Sequence, residues 1–323
     1  MIRRPFFLGN LKLSSNIFYA PLAGCSDYPF RKMSSLYKPG LHFCEMVKME
    51  ALVRADRGTF HLLDYSRDMH PIGAQICGSN PQIAAKAAKV IEDLGFDSID
   101  LNCGCPVDKV TKDGSGSGML KTPLLIGECL ANMSASVKIP VTVKIRAGWD
   151  EDSLVFQEIV RIAEDAGAKA ITLHARTRKQ AYTGPAVWDW IAQAKKVSRN
   201  ILVIGNGDLF EPKDALEMFE KTGCDAVLIA RGTMGQPWIV SDILSLQDKG
   251  FVPEHTLEDV RKALREHFRY TLEYCSEREA VIAMRRIGCW YFKKSKGTRN
   301  FRDAMSHATS LDEIEKLIED FVP

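Results

Sequence analysis

No stretch of this sequence is both long enough and free enough of charge to span a bilayer. Its formal net charge is only +2, so any case for a nucleic-acid partner must rest on where the basic residues sit, not on their total. The nine cysteines are scattered through apolar runs, Cys44, Cys77, Cys129 and Cys224 among them, without the even, close spacing of a secreted disulfide scaffold. Residues 1–13 carry Arg3, Arg4 and a short apolar patch, but Asn10 and Lys12 interrupt it before a secretory core could form. A Gly-x-Gly-x-x-Gly turn after the first apolar run is missing, which argues against the competing doubly wound, dinucleotide-binding sheet. These absences point to a soluble protein of a reducing, cytoplasmic compartment, with an ordinary 46% apolar and 26% charged composition. At 323 residues it exceeds one routine core, so a large domain with an appendage, or two domains, is expected.

What is present is a repeat. Eight apolar or β-branched runs, at 17–24, 42–47, 71–78, 98–104, 141–146, 170–176, 201–207 and 226–232, are mostly followed by segments of helical spacing. They are near-continuous rather than alternating, as strands covered on both faces should be. Asn80 and Pro81 supply a cap and a first helical position, and Ile83, Ala87, Ala88, Ile91 and Leu94 fall on one helical face. Gly95-Phe-Asp-Ser-Ile-Asp-Leu, Gly167-Ala-Lys-Ala-Ile-Thr-Leu and Gly223-Cys-Asp-Ala-Val-Leu-Ile each read as a helix-ending glycine leading into a strand. This pattern predicts an α/β fold, a (β/α)8 TIM barrel over residues 1–242. From Thr256-Leu-Glu-Asp, which has the form of a capping box, the pattern turns helical, with Leu257, Val260, Leu264, Phe268, Leu272 and Cys275 on one face. A small all-helical domain over 243–323 is expected.

In barrels of this kind chemistry sits at the carboxyl ends of the strands. Those ends here hold Pro21-Leu-Ala-Gly, Glu45, Gln75, Asn102-Cys-Gly-Cys105, Lys144 with Arg146, His174 with Arg176, Asn206-Gly-Asp208 and Ala230-Arg-Gly232. Gln75 alone reads more readily as a satisfied core amide than as a ligand contact. Lys144 does not, because a lysine in an apolar strand is rarely buried without a partner, and an anionic ligand would be one. The glycine-rich turns at Gly207 and Gly232, with Arg231 and a segment able to start a helix, suggest a cradle for a single phosphate, hence a mononucleotide cofactor. Cys103 and Cys105 lack the second cysteine pair of a zinc site, so no metal is expected. Thiols ordinarily titrate near ~8.5 and are mostly protonated at neutral pH; a cysteine at position 105, facing the site, therefore suits a proton donor. The run Gly114-Ser-Gly-Ser-Gly-Met reads as a flexible or RNA-facing loop.

Six ordered motifs bring these residues together: Ala20-Pro-Leu-Ala-Gly-Cys-Ser-Asp-Tyr-Pro-Phe-Arg31, Asp100-Leu-Asn-Cys-Gly-Cys-Pro106 with Lys109-Val-Thr-Lys112, Thr142-Val-Lys-Ile-Arg146, Leu173-His-Ala-Arg-Thr-Arg178, Gly205-Asn-Gly-Asp208 and Ala230-Arg-Gly-Thr-Met-Gly-Gln-Pro-Trp238. In this the chain resembles the tRNA-dihydrouridine synthases, most nearly their bacterial B-type branch, over nearly its whole length. The resemblance implies FMN held by Pro21, Leu22, Ala23, Gln75, Lys144, His174, Asn206, Gly207, Asp208, Ala230 and Arg231, with Cys105 as proton donor and Asn102 beside the incoming base. It implies reduction of uridine to 5,6-dihydrouridine in tRNA, with NADPH or NADH as electron donor. Because C5=C6 of uracil is conjugated to the C4 carbonyl, hydride addition at C6 leaves enolate-like charge that is quenched by a proton at C5. Cys103 stands where Met is common, and Ser117-Gly118 replaces a more usual Gly-Ala.

A folded RNA must release its uridine from the stack, which costs a few kcal/mol and calls for contacts elsewhere. Lys109, Lys112, Arg176 and Arg178 are expected to supply some of these. So are Arg285, Arg286, Lys293 and Lys294, within a basic stretch interleaved with Trp290, Tyr291 and Phe292. No feature calls for an obligate protein partner. A small-molecule flavoenzyme on the same barrel would have no use for that basic appendage, and a non-enzymatic RNA-binding protein would have none for Cys105, Lys144 and His174.

Overall fold

Strands that are apolar on both faces must be covered on both, and here they close into a ring. The computed structural model describes residues 5–293 and 297–321. Eight parallel strands form a closed barrel: β1 Ile17–Tyr19, β2 Leu41–Lys48, β3 Ile72–Cys77, β4 Ser98–Cys103, β5 Val141–Arg146, β6 Ala170–His174, β7 Leu202–Asn206 and β8 Ala226–Ile229. They follow chain order around the ring, which β8 closes by pairing with both β7 and β1. Parallel neighbours require crossovers. These are α1 Tyr28–Ser35, α2 Pro81–Asp93, α3 Pro123–Ser136, α4 Phe156–Asp165, α5 Asp189–Val197 and α6 Pro212–Thr222, while two short helices, Met49–Val53 and Arg57–Leu62, serve between β2 and β3. The fold is thus the expected barrel.

Local signals act as the sequence suggests. Asn80 Oδ1 accepts from the amides of Gln82 and Ile83 at 3.0 and 3.1 Å, with Pro81 opening α2. Gly95, Gly167 and Gly223 turn the chain from helix to strand at φ of +87°, +87° and +65°, a left-handed region that disfavours side chains. The α2 face is shifted, however: Ala84 is buried and Leu94 exposed, because the helix stops at Asp93 and Leu94 caps it. The sequence reading also missed an antiparallel hairpin, Phe6–Leu8 with Leu11–Leu13. Its Leu8 and Leu13 join Phe18, Leu41, Ala170 and Ala226 in the cluster filling the barrel interior.

After β8 comes α7, Ile239–Lys249, whose Ile239, Val240 and Ile243 belong to the barrel's main core. The division at residue 242 therefore falls inside a helix that packs with the barrel. Beyond it lie α8 Leu257–Tyr274, α9 Glu277–Tyr291, α10 Thr298–His307 and α11 Leu311–Asp320. The capping box at the start of α8 is reciprocal: Thr256 Oγ1 accepts from Asp259 N at 3.2 Å and Asp259 Oδ2 from Thr256 N at 2.8 Å. On the expected α8 face Leu264 and Phe268 are buried, whereas Leu272 is exposed. These helices have their own core, built from Leu264, Phe268, Met284, Ile287, Phe301 and Ile314, into which α1 contributes Met33. Tyr28 of α1 and Tyr274 of α8 stack with ring centroids 4.4 Å apart, joining the helical region to the barrel. Among the described residues no helix is long and apolar enough to cross a membrane.

Candidate active site

At the carboxyl ends of the strands the loops surround a cavity of about 360 Å3, within the range of about 300–1,000 Å3 usual for cofactor and small-ligand sites. Pro21, Leu22, Ala23, Gln75, Lys144, His174, Asn206, Gly207, Asp208, Ala230 and Arg231 all line it, and so do Asn102 and Cys105. Strand pairing explains the convergence: Gln75 on β3, Asn102 on β4, Lys144 on β5 and His174 and Asn206 at the ends of β6 and β7 occupy successive ring positions.

The wall is rich in cations. Lys144 is partly buried and its Nζ donates to Asn206 Oδ1 at 3.1 Å, while Asn206 Nδ2 donates to the Leu228 carbonyl at 2.7 Å. Among the described residues no carboxylate lies within ion-pair distance of Lys144. Burial, helped by the nearby Arg146 charge, pulls its pKa down to about 8. His174 is driven far below its ordinary range by burial first and then by the charges of Lys144, Arg146, Arg176 and Arg231, so it stands neutral. Arg176 Nη1 lies 3.4 Å from His174 Nε2 and can donate to it. Asp208, at φ +55°, holds Arg176 at 2.7 Å and Arg231 at 3.7 Å. Gly207 sits at φ +128°, where a Cβ would meet the Ala186 methyl at 2.8 Å. At the next turn, a Cβ on Gly232 would lie 2.1 Å from the Leu209 carbonyl oxygen, so the loops after β7 and β8 pack backbone to backbone. The segment after Gly232 begins as a short 3-10 turn, Arg231–Thr233, and α7 starts only at Ile239.

Cys105 is half-buried at the cavity wall and its peptide is gripped on both sides. Asn102 Oδ1 accepts from Cys105 N at 2.9 Å and from Gly104 N at 3.1 Å. The Cys105 carbonyl accepts from Ser117 Oγ at 2.8 Å and from Ser117 N at 3.0 Å. This corrects the reading of 114–119 as a flexible or RNA-facing loop: Ser115, Gly116 and Ser117 are buried, because the segment folds under Cys105 as the 3-10 turn Gly116–Lys121. Gly116 is at φ +57°, and a Cβ there would come within 2.9 Å of the Cys105 carbonyl oxygen. Cys103 lies in the apolar core with its sulfur 3.6 Å from that of Met119.

Other expected contacts also change meaning. Arg176 is 2% exposed. It is tied to Asp208 and the Gly184 carbonyl, so it braces the site and does not present its charge to RNA. Arg178 is bound to Asp108 and stacks its guanidinium on Trp149, whereas Lys109 and Lys112 are exposed. In the helical region Arg286 is exposed over Trp290, Lys293 is exposed and donates to the Met234 carbonyl at 2.7 Å, and Arg285 donates to the Ala308 carbonyl at 2.8 Å. Lys294 lies outside the described residues. Tyr291 and Phe292 are buried in the helical core, which removes them from the aromatic face read from the sequence and leaves Trp290.

Three residues at or beneath the site were given no role from the sequence, although Arg146 was among the strand-end residues. Arg146 donates from Nε to the Gly104 carbonyl at 2.9 Å and from Nη1 to the carbonyls of Thr177 and Ala181 at 2.9 and 2.8 Å, linking the loops after β4 and β6. Tyr182 lines the cavity with the guanidinium groups of Arg231 and Arg146 at 4.7 and 5.5 Å from its ring centre. Asp100 is buried in β4 beneath the floor of the site. A carboxylate inside an apolar strand is the same kind of signal that marked Lys144; Tyr182, in an irregular loop, carried none.

The model of the family described as dihydrouridine synthase matches residues 18–322. A probable tRNA-dihydrouridine synthase of Treponema pallidum is 37% identical, covering 99% of this chain and 96% of its own. The tRNA-dihydrouridine synthase B of Xanthomonas axonopodis pv. citri is 35% identical over 97% of this chain and 95% of its own. Among solved structures, histamine dehydrogenase from Rhizobium sp. 4-9 aligns with a TM-score of 0.59 at 14% identity, over 82% of this chain and half, 50%, of that one. The old yellow enzyme homologue from Zymomonas mobilis aligns with a TM-score of 0.50 at 12% identity, over 79% of this chain and 95% of that one. At such identities these two structures share the barrel fold.

Proposed function

The chain belongs to the dihydrouridine synthase family, and we propose that it reduces uridine to 5,6-dihydrouridine in tRNA with FMN as cofactor and NADPH as electron donor. The observation that carries this reading is the placement of a half-buried thiol, Cys105, on the wall of a cation-lined cavity whose size suits a mononucleotide. The residues fit FMN on the structure's own terms. Among the described residues Lys144 lines the cavity with an amide oxygen as its hydrogen-bond partner and no carboxylate within ion-pair distance, and Gly207, at φ +128°, brings bare backbone to the cavity wall. Arg231, on the turn after β8, would hold the phosphate, and Pro21, Leu22 and Ala23 the ring system, with Lys144, Gln75, His174 and Asn206 around its polar edge. FMN reduced by NADPH would supply the hydride that adds at uracil C6.

The protein's part is placement and protons. Cys105 gives its Sγ proton to C5 of the uracil, at the carbon where enolate-like charge has built up. Asn102 orders the loop that carries this thiol. Lys144 keeps a positive charge on the wall, so the site favours an anion. Neutral His174 offers a hydrogen bond without adding a further charge to a crowded cationic wall. Exposed Lys109, Lys112, Arg286 and Lys293 would meet RNA phosphates, which offsets the cost of drawing the base out of its stack. The barrel through α7 would thus carry catalysis together with the RNA contacts of Lys109 and Lys112, and the region from α8 onward those of Arg286 and Lys293.

The test is to map dihydrouridine in tRNA from cells with and without the gene. Loss of dihydrouridine at defined positions, restored by the wild-type gene, supports the reading. Identical maps, or purified protein without the yellow absorption of a flavin, contradict it.

A further inference from the structure

Beneath Cys105 runs a chain of buried hydrogen bonds whose polarity is fixed at both ends. Thr142 Oγ1 donates to Asp100 Oδ1 at 2.6 Å and Gln75 Nε2 donates to Asp100 Oδ2 at 2.7 Å. Gln75 Oε1 in turn accepts from Asn102 Nδ2 at 2.8 Å. Asn102 Oδ1 then accepts the amides of Gly104 and Cys105. Asp100, Gln75, Asn102 and Thr142 are all buried, spread over the adjacent strands β3, β4 and β5.

A primary amide has one end that donates and one that accepts, and it can turn over. In this chain neither amide can do so without breaking bonds at both of its ends. The backbone amides at Gly104 and Cys105 can only donate, and an ionised carboxylate can only accept. Burial raises the Asp100 carboxyl to about 6, so it remains ionised at neutral pH. Its acceptor character therefore dictates which way Gln75 points, Gln75 dictates Asn102, and Asn102 holds the peptide of Cys105. Asp100 itself is not among the residues lining the cavity.

We infer that Asp100 is a positioning residue for uridine reduction, acting through Gln75 and Asn102 to hold Cys105 where its thiol meets the substrate. This rests on the reading of Cys105 as the proton donor. Asp100→Leu keeps the branched heavy-atom skeleton and removes the acceptor, which frees the Gln75 amide to turn. Asp100→Asn keeps a carbonyl for Gln75, with its own amide donating to Thr142 Oγ1, so it restores the order. Gln75→Met cuts the same chain one link nearer to Cys105 and carries the test if the leucine variant does not fold; because Gln75 also lies at the proposed flavin edge, this variant is read through the Cys105 amide at FMN occupancy matched to wild type.

The experiment uses full-length protein labelled with 15N-cysteine, the Cys105 resonance being identified by its loss in Cys105→Ala, together with steady-state uridine reduction. In Asp100→Leu, or Gln75→Met, the Cys105 amide is expected to shift and to exchange faster with solvent. The kcat is expected to fall between about 10- and 100-fold, the usual cost of a misplaced reacting group, with KM for tRNA held. Asp100→Asn should return both readouts toward wild type. An unchanged Cys105 amide in the leucine and methionine variants, or equal damage from asparagine and leucine, overturns the inference. Faster exchange with unaltered uridine reduction instead contradicts Cys105 as the acid and, with it, the catalytic part of the inference.

Discussion

Ser117 donates its hydroxyl to the carbonyl of Cys105 at 2.8 Å, from a segment that the sequence presented as a glycine-rich surface loop. That bond is made by a side chain standing where the family resemblance led us to expect glycine. Ser117→Ala keeps the backbone bond from Ser117 N and deletes the hydroxyl. It is expected to cost about 1 kcal/mol, the net worth of one such bond. Uridine reduction should slow a few-fold while flavin stays bound. A thermal melt together with kcat on tRNA checks both, and an unchanged kcat would count against a clamp on the Cys105 loop.

Lys144 makes cofactor binding depend on pH. Its pKa of about 8 in the cofactor-free cavity means that its charge is present below that pH and lost above it. Affinity for FMN should therefore weaken as pH rises from about 8, by at most roughly tenfold per unit for one proton. Lys144→Met should bind FMN more weakly at pH ~7 and lose the pH dependence. The sign for stability is opposite. A lysine below its ordinary value of about 10.4 is a buried cation that opposes folding, so the cofactor-free protein should gain stability between pH ~8 and ~10.4. FMN fluorescence titrations and melts over this pH range measure both effects.

Arg176 braces the mouth from within. Its guanidinium serves Asp208 and the Gly184 carbonyl at once, at 2.7 and 2.6 Å. Arg176→Ala would leave Asp208 without that partner, and breaking such a pair is expected to cost about 3 kcal/mol. Arg176→Lys should rescue little of it, because an ammonium lacks the planar fork that makes both bonds. Urea denaturation of the two variants checks this; near-native stability in Arg176→Ala would contradict the bracing role.

The RNA face is expected on exposed cations. Replacing Lys109, Lys112, Arg286 and Lys293 by Gln should weaken tRNA binding and flatten its salt dependence by roughly 0.7–0.9 in log–log slope for each phosphate that is no longer neutralised. Arg285→Gln should act on stability as well, since it deletes a bond to the Ala308 carbonyl. Filter binding over a range of salt separates the two, and slopes equal to wild type would exclude this face.

The barrel was legible because its strands are buried on both sides and so lose the alternation of a half-exposed sheet, while Gly95, Gly167 and Gly223 punctuate the repeat. The site was legible because polar residues at the ends of apolar runs must meet at one rim of a closed barrel. Direction and partnership were not legible. Arg176 and Arg178 read as free cations, yet Asp208 and Asp108, distant in sequence, hold them. Tyr291 and Phe292 read as a nucleotide-facing aromatic run, yet the last residue of α9 and its cap both turn into the helical core. The hairpin at Phe6–Leu8 and Leu11–Leu13 has strands too short to carry a period.

The most direct measurement is a single-turnover reaction of the prereduced enzyme with tRNA, comparing wild type with Cys105→Ala. Removing a general acid is expected to slow dihydrouridine formation about 10²–10⁴-fold, with FMN content and its reduction by NADPH unchanged. Formation of dihydrouridine by the variant at the wild-type rate would contradict the assignment of Cys105.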